Sequence, residues 1–580
     1  MNTTQLKRFA QEARRKLLEQ VAAKLDFVKS SDTSELRGKI DTLNKLKSEI
    51  RKHGEEAVID KVAYTWFNRL VALRFMDANE YQPIGMSVVS PRTAEHVSPE
   101  ILNEAHRGNI SPELKVDRSE VMSILNGTQP TNNPDNEVYR ILLVAACNHL
   151  SELFPFLFER IDDYTELLLP DDLTSPFSIV TDVYKGMSDE DCKEVEIIGW
   201  LYQFYISERK DEVFASKKAV QKEDIPAATQ LFTPRWIVEY MVQNTVGKLW
   251  LQNRPSSKIK EVMPYYLESP SAKSDDYLKL DSVEEIKLLD PACGSGHILV
   301  YGFELLYYIY EEEGYQPNEI PELIIKNNLY GLEIDERASQ LAEMALMMKA
   351  RSKNHGFFKK GVKPNIITFT DFEYDAEEVN KIFKDFNIQT PKTLHFDLEL
   401  MTQATNYGSL IQPETELSEL TSIRTQLEKA HNTNNVFIQS KIDELTLAID
   451  QLIALSQKFH CVVANPPYMG SGNMNSELSA FVKKNYPDSK ADLMACFMES
   501  GLNSLFDKGY LGMINQQSWM FLSSYEKLRT KLIDSMHFDT LLHLGPRTFP
   551  EIGGEVVQNA SFTFRKIKSN EKGYFVRLID

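Results

Sequence analysis

The chain has 580 residues, a formal net charge of −19 and 42% hydrophobic residues, too long for one ordinary core and too apolar for a disordered tail, so two or three globular domains are expected. Five cysteines (Cys147, Cys192, Cys293, Cys461, Cys496) stand without a Cys-x-x-Cys pair, which argues against a disulfide framework or structural zinc and for a reducing, cytoplasmic setting; no apolar run approaches a membrane span or a signal core. The acidic balance opposes general attraction to phosphate, so contact with nucleic acid has to come from local basic patches or from a part outside this sequence.

Residues 1–52 form one such patch, with thirteen Lys or Arg against seven Asp or Glu; it reads equally as a solvated helix face or a nucleic-acid arm. Apolar positions recur at helical spacing over Leu6 to Val28, Lys61 to Met76, Val138 to Phe158 and Val195 to Ser207, separated by turn-rich breaks, so residues 1–225 are expected to be a mostly helical domain. The aromatic stretches around Tyr64-Thr65-Trp66-Phe67 and Trp200-Leu201-Tyr202-Gln203-Phe204-Tyr205 read as packed helices.

From 226 the pattern changes to α/β. Ile286 to Leu289 is an apolar strand running through Asp290-Pro291-Ala292-Cys293-Gly294-Ser295-Gly296 into the helical stretch Leu299, Phe303, Leu306, the way an α/β fold builds a nucleotide pocket at a strand's carboxyl end. Gly294 and Gly296 permit close approach of a ligand to the backbone. The turn lacks the Gly-Lys-Ser/Thr ending of a phosphate loop and the three spaced glycines of a dinucleotide site, and suits a small zwitterionic cofactor. A second strand, Leu329 to Glu333, ends in carboxylates: Glu333 is the first choice for a ribose diol and Asp335 the second, one of them alternatively capping the next helix. A third, Ile366 to Phe372, offers Asp371 and Phe372 for an adenine amine and ring, or simply a turn. Polar sequence with recurrent Leu and Ile from Leu417 to Leu455 suits two antiparallel helices broken near Asn432 to Asn435, a self-packed hairpin expected on the rim and part of an insertion at about 398–455 on the catalytic face.

The apolar run Cys461-Val462-Val463-Ala464 leads into Asn465-Pro466-Pro467-Tyr468. An exocyclic amine on a base is a poor nucleophile because its lone pair is delocalised. The Asn465 amide oxygen and the Pro466 carbonyl can each accept one of its hydrogens and turn the lone pair toward an electrophile. The prolines stiffen the turn, and Tyr468 offers a plate for a base swung out of a duplex.

In this order the segments resemble the γ-type N6-adenine DNA methyltransferases that use S-adenosylmethionine. Thr233-Pro234-Arg235-Trp236 matches the segment ahead of the glycine turn, and Ala491 to Phe497, Lys508 to Ile514 and Phe549-Pro550 before Val556-Val557 match later ones. With the N-terminal aromatic stretches the chain is similar to the large BREX phage-defence methyltransferases of the PglX type, and more distantly to methyltransferases fused to nucleases. The resemblance implies a Rossmann-like methyltransferase domain over 226–580. It gives Thr233, Asp290, Ala292, Gly294 and Gly296 to the cofactor's methionine side, Glu333 (or Asp335) to its ribose, and Asp371 and Phe372 to its adenine. Asn465, Pro466, Pro467 and Tyr468 receive the target base, with Phe549 as a second stacker. Double-stranded DNA and other defence proteins are the implied partners, with no metal and no membrane. A target-recognition domain has no room after Phe549, so a longer protein or a second subunit is expected to supply it. The alternatives are a non-catalytic scaffold of a defence complex and the methyltransferase half of a restriction-modification enzyme.

Overall fold

The computed structural model describes residues 3–579 apart from 94–97, 159–163, 269–275, 432–435, 547, 550–557 and 570, and leaves the side chains of 34, 35, 436 and 437 aside. Two compact units divide it, the first comprising Met1–Glu208, Glu343–Arg351 and His355–Gly361, the second Arg209–Ala342, Ser352–Asn354 and Val362–Asp580.

The first unit is helical. Helix Thr3–Ser30 buries Leu6, Ala10, Leu17, Val21 and Leu25, a stripe at three- and four-residue spacing that packs on helix Glu55–Ala78. That second helix is buried nearly all round over its last three turns, and its aromatic rings form the centre of the unit: Tyr205 stands 5.0 Å from Tyr64 and 4.5 Å from Phe67. The basic N-terminal stretch carries its own counter-charges. Lys16 meets Asp182 at 2.5 Å, Lys29 meets Glu55 at 2.5 Å, Lys39 meets Glu166 at 2.8 Å and Arg14 meets Glu208 at 3.6 Å, so less free positive charge faces phosphate than the formal count implies.

The boundary between units falls at 208, not at 225. Residues 209–224 are tied into the second unit, where Lys210 Nζ donates to the Gln230 carbonyl at 2.8 Å, Val220 pairs with Met474 and Lys222 contacts Asp371.

The second unit is built on an eight-stranded sheet: β1 Leu288–Asp290, β2 Leu329–Glu333, β3 Asn365–Thr368, β4 Phe459–Ala464, β5 Leu505–Gln516, β6 His537–Gly545, β7 Asn559–Arg565 and β8 Tyr574–Arg577. Their spatial order is β3-β2-β1-β4-β5-β7-β6-β8. The first five run parallel, β7 is antiparallel to both its neighbours, and β8 is parallel to β6. Cys461 to Ala464 of β4 are fully buried, as a strand covered on both faces requires. The chain leaves β1 toward β2 on one side and returns in β4 on the other, so the crevice beyond the carboxyl ends of β1 and β4 is the switch point at which such sheets bind ligands. It lies between Asp290 and Asn465.

Behind the antiparallel end, Lys248 in helix Lys248–Asn253 donates to both carboxylate oxygens of Asp539 in β6 at 2.7 and 2.6 Å, both residues almost wholly buried. Burial pushes the Asp539 carboxyl up, but His537 and Lys248 outweigh it and hold it below its usual range. Removing one partner leaves a bare buried charge, whereas removing both leaves none. Lys248→Met is therefore expected to destabilise the second unit by about 3 kcal/mol, and the double replacement Lys248→Met with Asp539→Leu to recover most of that loss, read by urea unfolding.

Candidate active site

The glycine turn can be built only with glycine at two places. Gly294 sits at φ +52° and Gly296 at φ +82°, backbone conformations that side chains resist, and a Cβ on Gly296 would stand 3.0 Å from the Ala342 Cα. Gly296 caps helix His297–Glu312, so the turn hands β1 directly to the helix. It is fastened from the next strand: the Glu333 carboxylate accepts from Gly294 N at 2.7 Å, Ile334 N at 2.8 Å and Asp335 N at 3.0 Å.

A cavity of about 940 Å³, open solvent included, lies over this turn. Several further segments wall it. The strap 225–233 passes across the top, with Thr233 buried. From the insertion come Asn406 to Leu410, fixed where the Ser409 hydroxyl donates to the Pro291 carbonyl and where Tyr407 stacks on Phe481 at 4.1 Å with rings 10° apart. Asn465 and Pro467 come from the exit of β4, and Leu493 and Phe497 from helix Leu493–Asn503.

Asn465 has a specific posture. Its Nδ2 donates to the Leu231 carbonyl at 3.0 Å, which settles the amide's orientation because two carbonyl oxygens cannot share a hydrogen. Its Oδ1 is buried without a partner. An orphaned acceptor costs about 1–3 kcal/mol, and buried groups of this kind are seldom left so unless something is to fill them.

Of the residues expected at the site, Thr233, Asp290, Ala292, Gly294, Glu333, Asn465 and Pro467 lie on the cavity wall. The others do not line it. Gly296 lies beneath the turn as the helix cap. Asp335 accepts from Arg337 N at 3.0 Å at the start of helix Glu336–Lys353, the capping alternative. Asp371 is engaged by Lys222 and by Thr405 N and Oγ1, both at 3.0 Å. Phe372 and Pro466 are buried, Phe372 in the apolar cluster with Met401 and Phe383. Tyr468 donates its hydroxyl to the Ile514 carbonyl at 2.8 Å, which pins the ring against β5, and burial pushes that hydroxyl well above its ordinary pKa. Phe549 is buried; Pro550, Val556 and Val557 lie outside the described residues. The wall residues that sequence reasoning left unassigned include His297, Tyr407, Ser409 and the strap residues Gln230 to Phe232. The insertion, expected on the catalytic face, reaches the cavity through Asn406 to Leu410, while its helices Leu417–Ala430 and Val436–Ser456, the hairpin expected on the rim, pack on each other and give the wall no residue.

Two buried carboxyls set the electrostatics. Burial raises Asp290 to about 8, against one backbone hydrogen bond from Ala292 and with the Glu333 charge adding to the rise. Burial likewise raises Glu333 to about 7, opposed by its backbone donors. Among the described residues no group of three or more His, Cys, Asp or Glu is placed to hold a metal, and no helix is long and apolar enough to cross a membrane.

A doubly wound sheet with a glycine turn, a strand-tip carboxylate and an Asn-Pro-Pro-Tyr exit at its switch point is a Rossmann-like fold, and residues 327–549 match the family model described as Eco57I restriction-modification methylase. Over 570 residues the chain is 41% identical to the adenine-specific methyltransferase BrxX of Escherichia coli O9:H4 (strain HS), covering 91% of this chain and 46% of that protein. Over 547 residues it is 38% identical to the adenine-specific methyltransferase PglX of Lacticaseibacillus casei (strain Zhang), covering 90% and 45%. The Escherichia coli type II restriction enzyme and methyltransferase RM.Eco57I is 24% identical over 400 residues, 66% of this chain and 33% of that protein. The chain is thus similar to these adenine-specific methyltransferases only in part, since it spans less than half the length of the BrxX and PglX relatives.

The raised Asp290 gives a sign for pH. A carboxyl that binds its proton more tightly folded than unfolded contributes stability that is fully present below its unfolded pKa of 3.8 and is lost as pH rises through about 8. In the ligand-free protein the melting temperature is expected to fall between pH 5 and 8.5, and Asp290→Asn to flatten that fall and raise the melting temperature by a few degrees at the alkaline end, read by calorimetry.

Proposed function

We propose that this chain is the cofactor- and base-binding part of a site-specific DNA methyltransferase that moves the methyl of S-adenosylmethionine to N6 of an adenine flipped out of double-stranded DNA, marking cytoplasmic host DNA in a BREX-type phage-defence system together with other defence proteins. The observation that carries it is the buried, unpartnered Asn465 Oδ1 on the cavity wall. A scaffold has no use for such an acceptor.

The cavity suits the cofactor on three grounds: a wall position at Gly294 that carries no side chain, carboxyls of Asp290 and Glu333 for ammonium and diol, and the flat Tyr407 ring. When bound, S-adenosylmethionine supplies an electrophilic methyl on sulfur. Thr233, Asp290, Ala292 and Gly294 would hold its methionine part, Glu333 its ribose and Tyr407 its adenine. Asp371 and Phe372, which the family pattern assigns to that adenine, would serve instead to fasten the adjoining backbone.

Asn465 Oδ1 and the Pro466 carbonyl each accept one N6 hydrogen, drawing the nitrogen lone pair out of the ring. With the cofactor bound, its carbon–sulfur bond would break as the methyl passes to N6, and the surplus N6 proton would leave to solvent after transfer. Each acceptor contributes on the order of 3 kcal/mol by comparison with hydrogen-bond deletions at other sites, while extruding the base costs a few. Tyr468 and Pro467 border the place where the base would enter.

In cells carrying the complete gene, Asn465→Ala is expected to abolish N6-methyladenine at the host sites in methylome sequencing while the purified protein keeps its affinity for S-adenosylmethionine; unchanged methylation would overturn the role given to Asn465. Tyr407→Ala is expected to weaken S-adenosylhomocysteine binding about fivefold in calorimetry and Tyr407→Phe to leave it unchanged.

A further inference from the structure

His297 is the first residue of the helix that follows the glycine turn, and it is one of the residues that line the cavity. One face packs on Phe232 with centroids 4.4 Å apart and planes 29° apart. The ring hydrogen-bonds to the backbone of Thr233 in the sense that favours a protonated donor. Nε2 is buried and has no partner, so the donor is Nδ1. Burial first, and then the Arg235 charge, lower the His297 pKa to about 3, which keeps the imidazole neutral at physiological pH. A neutral ring with its hydrogen on Nδ1 carries a lone pair on Nε2. The side chain is therefore a fixed acceptor, held by a stack on one face and a hydrogen bond on one edge.

The helix makes an acceptor necessary. Its N-terminus carries partial positive charge and free N–H groups, which welcome a carboxylate and repel a cation. A zwitterionic ligand at this turn thus has its carboxylate provided for, and its ammonium needs acceptors supplied by side chains. We propose that His297 Nε2 accepts a hydrogen bond from the α-ammonium of S-adenosylmethionine. This rests on the reading that the cavity takes that cofactor. His297 then serves at both ends of its ring, Nδ1 holding the strap through Thr233 and Nε2 holding the ligand.

The test compares S-adenosylhomocysteine with its desamino analogue, in which the α-amine is replaced by hydrogen, on the full-length protein by calorimetry. The wild type is expected to bind the desamino compound about tenfold more weakly or worse. His297→Phe keeps a flat ring for Phe232 and lacks the lone pair, and is expected to narrow the wild-type preference for the amine at least about threefold, to the part that the Asp290 carboxyl alone sustains. If His297 only anchors the strap, the variant loses affinity for both ligands equally and keeps the wild-type preference, which overturns the proposal. A wild type that binds S-adenosylhomocysteine without regard to the amine also overturns it and leaves the cofactor reading standing. A wild type that binds neither overturns the cofactor reading. Independently of whether the variant folds, the Nε2 resonance of 15N-histidine-labelled wild-type protein is expected to shift on adding S-adenosylhomocysteine and to stay in place on adding the desamino compound; equal response to both counts against the proposal.

Discussion

The hydrogen bond from Asn465 Nδ2 to the Leu231 carbonyl is the contact on which the site depends. It spans 234 positions of sequence and joins the exit of β4 to the strap that precedes the whole sheet. Without it the carboxamide is free to turn over, and half of its orientations present a donor where an acceptor is needed. With it the amide is a one-sided group, committed on nitrogen and open on oxygen. The same strap holds Phe232 against His297, so the segment from Gln230 to Thr233 fixes one side chain of the glycine turn and one of the β4 exit at once.

The carboxyls show the other side of this arrangement. Asp290 and Glu333 are buried close enough for each to feel the other's charge, a placement that disfavours ionisation and that an apolar or amide pair would relieve. Glu333 is partly repaid by three backbone donors; Asp290 has one. Such frustrated groups are characteristic of sites whose partner arrives from solution, and they lie here at the switch point where the sheet topology also directs a ligand.

Much of this was legible in the sequence because it is local. The strand–turn–helix from Ile286 to Leu306 announces itself through apolar runs on either side of small residues, and the structure has β1, the turn and helix His297–Glu312 there. The strand before Asn465 was equally plain, as were the helical first 200 residues. What sequence pattern did not reveal depends on pairing at a distance. The exposed-looking Asp371 follows a strand as a ligand residue would, yet Lys222 and Thr405 occupy its oxygens, and only tertiary structure supplies those neighbours. Tyr407 sits in an insertion whose polar composition describes its outer helices well and its inward-folded beginning not at all. His297 stood in plain view after Gly296, but a lone histidine in an apolar helix is ordinarily a core residue, and its vacant nitrogen is a fact of three dimensions.

The position of Asn406 to Leu410 on the cavity wall has a consequence for biosynthesis. Chains emerge from the ribosome from the N-terminus at roughly 5–20 residues per second, so the glycine turn is translated more than a hundred residues before the stretch that roofs it, and the Asn465 loop later still. For several seconds the nascent strands β1 to β3 exist with their nucleotide crevice unroofed and their central neighbour β4 unmade, an interval in which chaperones have apolar edges to shield and no assembled pocket exists for a metabolite to stabilise.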